Sequence, residues 1–218
     1  MSTVRVALPK GRLFQPAANL FARLGCRGLS ELAGSRRLLH EDPEAGFSFI
    51  LVKPMDVPVY VEYGVAELGV VGQDVLRELE RDIYEPLRLG FGTCRLVVAG
   101  PPSWQGDNGA RRPILRVATK YPRLARQHFL ARGLSVEIVA LAGSVELAPQ
   151  VGLADLIVDV VDSGRTLAAN GLCEMETILT SQACLVVNRA SHKVRLARIS
   201  AVLEQLKQLT QSRQGEAR

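Results

Sequence analysis

Four residues in the second half of the chain have the types and the spacing of an anion-binding site. Asp159 interrupts an apolar run, and Ser163, Gly164 and Thr166 follow it closely. The two hydroxyls can donate to a phosphate, Gly164 lacks the Cβ that would keep an anion from the backbone, and Asp159 can accept hydrogen bonds from sugar hydroxyls. The pattern predicts a site for a sugar phosphate. An ordinary capped helix after a core strand is the alternative, and these four residues alone leave both open.

These residues need a strand before them and a helix after them. Residues 156–161 are apolar except for Asp159, which predicts a strand buried on both faces. Residues 167–170 have the composition of a first helical turn that Gly171 would close. The strand would deliver Asp159 to one edge of a sheet, and the start of the helix would present backbone N–H groups to an anion.

A second junction of this kind lies near the N-terminus. Residues 3–8 are predicted as a strand and residues 13–24 as an amphipathic helix, with Lys10, Gly11 and Arg12 in the loop between them. An anion at this loop would meet two cations and free backbone N–H groups. A solvated basic turn explains the same residues equally well.

Two stretches of the chain follow one plan, which favours a two-lobed α/β protein with a cleft. Residues 65–76 and residues 153–164 both contain an acid, a valine-rich strand and a glycine-bearing loop. Gly72 and Asp74 would then lie in the cleft, although Asp74 is equally suited to cap the next helix. Lys120 and Tyr121 follow a further predicted strand and are candidates for the same cleft.

The remaining elements divide the chain between the lobes. Strands are predicted at residues 47–52, 95–99, 115–119, 136–141 and 176–187, and helices at residues 57–63, 122–132, 144–151 and 194–211. A polar loop is predicted at residues 101–112, and no regular structure at residues 212–218. The last strand would return opposite residues 95–99, so that two segments cross between the lobes. We therefore expect lobe one to comprise residues 1–92 and 186–218, and lobe two residues 93–185.

Composition narrows the classes of ligand. The formal net charge is +5, which suits polyanions, but aromatic residues make up 5% of the chain and the basic residues are scattered, which disfavours nucleic acid.

No apolar run approaches the length of a membrane span, and the N-terminus lacks the apolar region of an export signal, so a cytoplasmic protein is expected. The four cysteines show neither C-x-x-C spacing nor a nearby histidine, so no zinc or redox site is predicted.

The longer motif D-V-V-D-S-G-R-T, which begins at Asp159, resembles the loop of phosphoribosyltransferases that binds phosphoribosyl diphosphate (PRPP). The common form of that loop has two adjacent acids, whereas this chain has Val160 in the second position. The wider spacing resembles the signature of the ATP phosphoribosyltransferases, and it comprises Glu146, Gly152, Ala154, Ile157, Asp159, Ser163, Gly164, Thr166 and Leu167. The chain is identified on this basis as a member of that family, with a periplasmic-binding-protein-like fold.

The resemblance implies roles for individual residues. It assigns PRPP to Glu146, Asp159, Ser163, Gly164, Arg165, Thr166 and Leu167. It assigns the nucleotide and its polyphosphate to Lys10, Gly11, Arg12, Gly72, Asp74, Lys120 and Tyr121. Lys10, Arg36 and Lys53 would act catalytically on the phosphates, with Lys53 standing where many relatives have arginine, so that the bidentate contact of a guanidinium is lost. No residue is assigned directly to a metal, because Mg²⁺ would arrive on PRPP or pyrophosphate.

The implied reaction transfers the 5-phosphoribosyl group of PRPP to N1 of ATP with release of pyrophosphate, the first step of histidine biosynthesis. The chain resembles the short form of the enzyme, which implies a hetero-oligomer with a regulatory subunit similar to histidyl-tRNA synthetase. Two alternative functions remain open from the sequence alone. A two-lobed binding or sensor protein would not respond to PRPP with Mg²⁺, and a phosphoribosyltransferase could use another nitrogen base.

Overall fold

The computed structural model describes residues 3–104 and 114–216, with side chains described as far as residue 211. Most of the polar loop predicted at residues 101–112 and the last two residues lie outside this range. The chain divides into two compact units, one of Met1–Gly92 with Gln182–Arg218 and one of Thr93–Ser181. No helix of the described residues is both long and apolar enough to cross a membrane.

The units are built from strands and short helices that alternate along the chain. The strands are β1 (Val4–Pro9), β2 (Leu39–Asp42), β3 (Phe47–Val52), β4 (Leu68–Gly72), β5 (Tyr84–Arg88), β6 (Cys94–Gly100), β7 (Leu115–Thr119), β8 (Val136–Ala140), β9 (Leu156–Val161), β10 (Cys173–Ser181) and β11 (Ala183–Val187). The helices are α1 (Phe14–Ala22), α2 (Val57–Glu62), α3 (Gln73–Leu79), α4 (Pro122–Leu130), α5 (Arg165–Ala169), α6 (Arg189–Val194) and α7 (Leu196–Glu216).

The first unit contains a six-stranded sheet in the order β2-β3-β1-β4-β11-β5. β1 lies between β3 and β4 and is parallel to both, so the carboxyl ends of these three strands meet at one edge of the sheet. Both faces are covered: Phe21 of α1 packs with Phe49 on one face, and Val57 of α2 packs with Val186 on the other. Burial on both faces explains why β1, β3 and β4 are almost entirely apolar.

The second unit contains a five-stranded sheet in the order β10-β6-β9-β7-β8. β7 is parallel to β8 and β9, whereas β6 runs antiparallel to both β9 and β10. Phe129 of α4 packs with Val158 on one face, and Leu167 of α5 packs with Ile157 on the other. The sheet therefore holds β9 rigidly and delivers its carboxyl end to the loop before α5.

Three predicted elements differ from the structure. Residues 144–151 form a single 3₁₀ turn at Val145–Leu147 instead of a helix, because Pro149 has no N–H to continue the helical ladder. The strand predicted at residues 176–187 is two strands, β10 and β11, because the partner changes from β6 to β4 between them. The C-terminal segment is two helices separated at Arg195, and α7 continues past the predicted end to Glu216.

Candidate active site

The carboxyl end of β9 and the loop that follows it surround a pocket of about 310 Å³. Its lining consists of Glu146, Asp159, Val160, Val161, Asp162, Ser163, Gly164, Arg165, Thr166 and Leu167. The structure thus brings together all seven of the residues that the sequence assigned to PRPP. It adds Asp162, which lies inside the same motif but was not singled out.

Asp159 is a half-buried carboxylate in this pocket. Its Oδ1 accepts a hydrogen bond of 2.8 Å from the backbone N–H of Val160. Burial raises the pKa of the Asp159 carboxyl, while the Val160 hydrogen bond and the charge of Lys120 lower it and the charge of Glu146 raises it. The raised pKa marks a carboxylate that lies in an environment unlike bulk water, as functional carboxylates often do.

The loop between β9 and α5 is shaped by Gly164, which has a left-handed backbone with φ of 75°. Glycine adopts this conformation without the strain that a Cβ would add. The Arg165 Nε donates to Ser163 Oγ over 3.2 Å, and the helical bond from Ala168 N runs to Gly164 O. This is the first hydrogen bond of the α5 helix, so the backbone N–H groups of the residues just before Ala168 have no partner within the helix. They are therefore suited to bind an anion. α5 has five residues, so its dipole is short.

Glu146 reaches the pocket from the 3₁₀ turn before β9. Its neighbours Val145 and Ala148 are buried in the core beside Leu167 and Ile157. These anchors fix the turn, and Glu146 is left half-buried at the pocket wall. The resemblance had assigned Glu146 to PRPP, but the helix expected at residues 144–151 does not form, and a 3₁₀ turn carries the side chain instead.

Lys120 and Tyr121 lie at the carboxyl end of β7, next to β9. Lys120 is exposed and near enough to Asp159 for its charge to lower the pKa of that carboxyl. Tyr121 is buried in the core, and its backbone N–H donates to Thr119 Oγ1 over 2.8 Å. Thr119 Oγ1 donates in turn to Val158 O on β9. Lys120 therefore presents a charge beside Asp159, whereas Tyr121 anchors the turn.

In the first unit, Lys10, Gly11 and Arg12 follow β1 as predicted. Lys10 N donates to Val52 O over 2.8 Å, and Gly11 has φ of 89°. The side chains of Lys10 and Arg12 are exposed, and Arg12 Nη1 donates to Gly92 O over 3.0 Å. That bond gives the Arg12 guanidinium a defined position, which a freely solvated basic turn would not have.

Lys53 and Arg36 are both exposed on loops of the first unit. Lys53 directly follows β3, so it shares the carboxyl edge of the sheet with Lys10. Arg36 lies in the loop before β2, where Ser35 Oγ accepts a hydrogen bond from Arg37 N. The structure therefore places Lys10 and Lys53 at one sheet edge, and Arg36 on a separate loop.

Gly72 ends β4 and Asp74 lies in the first turn of α3. Asp74 is 4% exposed, and a Cβ on Gly72 would overlap Asp74 Oδ1. The carboxylate is therefore folded back over Gly72. Gly72 itself occupies the N-cap position of α3, so Asp74 is not the capping residue; it lies in the first turn, where a negative charge interacts favourably with the helix dipole. A side chain at Gly72 would require that carboxylate to move.

Among the described residues, no group of three or more His, Cys, Asp and Glu side chains is placed to hold a metal ion. Asp159, Asp162 and Glu146 supply carboxylate oxygens to the pocket, which are the ligands that Mg²⁺ prefers. The three described histidines lie outside the pocket lining.

Comparisons with known proteins agree with this geometry. A family model described as ATP phosphoribosyltransferase matches residues 53–208. An ATP phosphoribosyltransferase of Citrifermentans bemidjiense is 46% identical over 206 residues, which cover 94% of this chain and 97% of the relative. The ATP phosphoribosyl transferase (HisG:HisZ) complex from Thermotoga maritima contains a chain with a TM-score of 0.82 and 32% identity, covering 96% of this chain and 100% of that one.

A likeness of fold extends to binding proteins. The periplasmic aliphatic sulphonate binding protein SsuA from Escherichia coli matches with a TM-score of 0.62 at 15% identity, covering 99% of this chain and 76% of that one. At this identity the likeness concerns the fold alone. It confirms the prediction of a periplasmic-binding-protein-like α/β fold.

Proposed function

The chain belongs to the ATP phosphoribosyltransferase family, and from this premise we propose which of its residues bind each substrate. It is a pentosyltransferase that transfers the 5-phosphoribosyl group of PRPP to N1 of ATP, releases pyrophosphate and begins histidine biosynthesis. Family membership excludes the two alternative functions, a binding or sensor protein and a phosphoribosyltransferase that uses a nitrogen base other than adenine.

We place PRPP in the pocket lined by Glu146 and the loop after β9. The observation that carries this proposal is that one pocket is lined by all seven residues assigned to PRPP from the sequence. The pocket has a carboxylate at one end, and backbone N–H groups and hydroxyls at the other. A sugar phosphate needs an acceptor for its hydroxyls and donors for its phosphate, so it matches this arrangement.

Within the pocket, the 5′-phosphate is assigned to Ser163, Gly164, Arg165 and Thr166. The Arg165 Nε contact with Ser163 Oγ holds the guanidinium over the loop, where its charge favours a dianion. Asp159 is assigned to the ribose hydroxyls, with Glu146 beside it. Leu167 acts through its buried side chain, which fixes α5 against the sheet.

The nucleotide and its polyphosphate are assigned to Lys10, Gly11, Arg12, Gly72, Asp74, Lys120 and Tyr121. Lys10 and Arg12 are exposed cations on a fixed loop and are the strongest of these candidates. The side chains of Asp74 and Tyr121 are buried. We therefore assign these two residues and Gly72 to shaping the nucleotide site and not to direct contacts through exposed side chains. Five of these residues belong to lobe one, residues 1–92 with 186–218. Lys120 and Tyr121 belong to lobe two, residues 93–185, as do the residues assigned to PRPP.

The reaction requires little general acid–base catalysis. N1 of adenine carries a lone pair at neutral pH, so no general base is needed to create the nucleophile. Charge builds on the departing pyrophosphate in the transition state, so positioning and electrostatic stabilisation dominate the rate. We propose that Lys10, Arg36 and Lys53 provide this stabilisation as cations on the leaving group.

We propose Mg²⁺ as the accompanying metal, bound to PRPP and pyrophosphate as part of the substrate. Mg²⁺ is usually held by one or two carboxylates together with substrate phosphates, and Asp159 and Asp162 offer such carboxylates at the pocket. The ion supplies charge neutralisation on the diphosphate.

We also propose that the chain works with a regulatory subunit that resembles histidyl-tRNA synthetase. The supporting observation is that its structural relative from Thermotoga maritima was solved as a HisG:HisZ complex and is covered over its whole length. A cytoplasmic location is part of the proposal, since ATP and PRPP are multiply charged and do not cross membranes unaided.

The substrate assignment can be tested by calorimetric titration of PRPP, ribose 5-phosphate and pyrophosphate with Mg²⁺ present. Thr166→Val removes one hydroxyl from the loop and should weaken PRPP and ribose 5-phosphate roughly tenfold, as expected for loss of a hydrogen bond to a charged group. Pyrophosphate binding should be unchanged, since it lacks the 5′-phosphate.

The matched control is Thr177→Val, which removes an exposed hydroxyl from β10 in the same unit. If Thr166→Val binds ribose 5-phosphate like the parent protein, the assignment of the 5′-phosphate is wrong. Formation of phosphoribosyl-ATP, measured by mass spectrometry with and without the synthetase-like subunit, tests the dependence on a partner.

A further inference from the structure

An ion pair lies directly against the loop assigned to the 5′-phosphate. Arg95 Nη2 on β6 contacts both carboxylate oxygens of Glu174 on β10, at 2.9 and 2.8 Å. A Cβ built on Gly164 would lie 3.3 Å from Glu174 Oε1. The carboxylate therefore packs against the backbone of Gly164, in the middle of the loop, although Arg95 and Glu174 are absent from the pocket lining.

Strand register explains how the pair reaches this place. Arg95 is aligned with Val161 and Val97 with Asp159, while Glu174 is aligned with Ala99. Residues two apart on a strand share a face, so Arg95, Val97 and Ala99 lie on the face of the sheet that α5 covers. Arg95 thus extends along this face to meet Glu174 beneath the loop.

A carboxylate at this position creates an electrostatic problem. The loop is proposed to bind a phosphate dianion, and a bare carboxylate behind Gly164 would repel it through the backbone. Arg95 places one positive charge within hydrogen-bonding distance of both Glu174 oxygens, so the pair is neutral as a whole.

We propose that Arg95 is a positioning residue for PRPP, which neutralises Glu174 and so keeps the Gly164 loop receptive to the 5′-phosphate. This inference rests on the proposed function of that loop. The pair should contribute little to the stability of the fold. The Arg95 and Glu174 side chains are 44% and 32% exposed, and exposed ion pairs are weak.

The charge effect has a predictable size. One uncompensated carboxylate about 6 Å from a phosphate dianion, at the dielectric constant of water, weakens binding by about tenfold. Added salt screens this repulsion, so the effect should shrink as ionic strength rises.

The experiment compares Arg95→Met, Glu174→Gln and the double variant by PRPP titration and by the KM for each substrate. Arg95→Met should raise the KM for PRPP about tenfold at low salt, with kcat and the KM for ATP unchanged. Glu174→Gln should bind PRPP as tightly as the parent or more tightly. The double variant should return close to the parent, and Arg95→Lys should retain most of the affinity.

This asymmetry separates a charge effect from a structural one. A merely structural pair would make both single variants equally harmful and the double variant no better. The matched control is Arg132→Met, which breaks a pair of similar exposure with Glu176, also on β10 but facing α4. It should leave PRPP binding unchanged.

An unchanged KM for PRPP in Arg95→Met, or a double variant as weak as the single one, overturns the inference. Asp159→Ala, measured in parallel, reports on the site itself. Loss of PRPP binding in Asp159→Ala with a normal Arg95→Met means that the site is right and this inference is wrong. Normal PRPP binding in Asp159→Ala means that the proposed site is wrong.

Discussion

Glu146 and Asp159 line the same pocket, and the negative charge of Glu146 adds to the effect of burial in raising the pKa of the Asp159 carboxyl. Lys120 acts in the opposite direction. A carboxylate held in such surroundings costs stability in the folded protein, and its retention is explained by a ligand that uses it.

Asp159→Asn should therefore stabilise the free protein while destroying PRPP binding. A carboxyl whose pKa is higher in the folded than in the unfolded chain binds more protons when folded, so the free energy of unfolding falls as pH rises through that window. The amide carries no charge and removes this cost. We expect a higher Tm than the parent at pH 7 and no detectable PRPP binding by calorimetry.

Glu137→Gln is the control for this prediction, because it removes an exposed carboxylate from β8 of the same unit. It should change neither Tm nor PRPP affinity appreciably. A lower Tm for Asp159→Asn than for the parent would show that Asp159 stabilises the fold and would contradict the prediction.

Gly164→Ala should impair both folding and PRPP binding. The backbone at Gly164 has φ of 75°, and the new Cβ would lie 3.3 Å from Glu174 Oε1. The left-handed conformation alone costs about 1 kcal/mol for alanine. Displacement of the Glu174 carboxylate should shift the loop, so PRPP affinity should fall beyond what the loss of stability explains.

Gly171→Ala is a matched comparison, because Gly171 has φ of 66° and no atom within 4 Å of a new Cβ. It should lower the free energy of unfolding by a similar amount and leave PRPP affinity intact. Equal loss of affinity in both variants would mean that the contact between Gly164 and Glu174 has no role in binding. Urea unfolding and PRPP titration measure the two effects.

His128 should make the second unit sensitive to acid. Burial, followed by the charge of Arg132, lowers the pKa of His128 to about 4. His128 Nε2 lies 3.1 Å from Glu176 Oε2, and Arg132 Nη1 lies 3.2 Å from Nδ1, so the neutral ring donates to the carboxylate and accepts from the guanidinium. The unfolded chain has the usual pKa of about 6.5 and binds a proton earlier.

The free energy of unfolding should therefore fall as pH decreases from about 6.5 to 4, by about 2 to 3 kcal/mol for this group alone. His128→Gln should lose that part of the pH dependence, measured as the difference between parent and variant in urea unfolding at several pH values. His192→Gln is the control in the other unit. Parallel pH profiles for the parent and His128→Gln would refute the prediction.

Local apolar pattern was sufficient to predict several elements to the residue. Phe47–Val52, Leu115–Thr119 and Leu156–Val161 form the strands expected of them, because each is a short apolar run between polar loops. Most of the pocket residues were predictable because they lie in one contiguous stretch, residues 159–167, which begins within the last of these strands. Of the residues that line the described pocket, Glu146 alone comes from outside this stretch.

Non-local relationships were not predictable from the sequence. A single extended pattern covers β10 and β11, and nothing in it shows that the chain changes partners at Gln182. Arg95 and Glu174 are 79 positions apart, and their meeting depends on strand register and on the irregularity in β10. The helix expected at residues 144–151 does not form, because Pro149 has no N–H to donate to a helical ladder.

Asn188 should be among the polar side chains of the first unit that are most costly to replace. It is 7% exposed, and its Oδ1 accepts from Ser191 N over 2.7 Å at the start of α6. Its Nδ2 donates to Val61 O and Glu62 O at the end of α2, over 2.8 and 3.1 Å. One amide thus caps one helix and satisfies the last carbonyls of another.

Asn188→Ala should lower the free energy of unfolding by about 2 kcal/mol, from the lost cap and from carbonyls left without a donor. Asn188→Asp keeps the capping oxygen but sets a carboxylate against those two carbonyls, so it should be at least as destabilising. Asn19→Ala, at an exposed position of α1, should cost much less. An aspartate variant as stable as the parent would show that capping alone explains Asn188, because the bond to α2 would then contribute nothing.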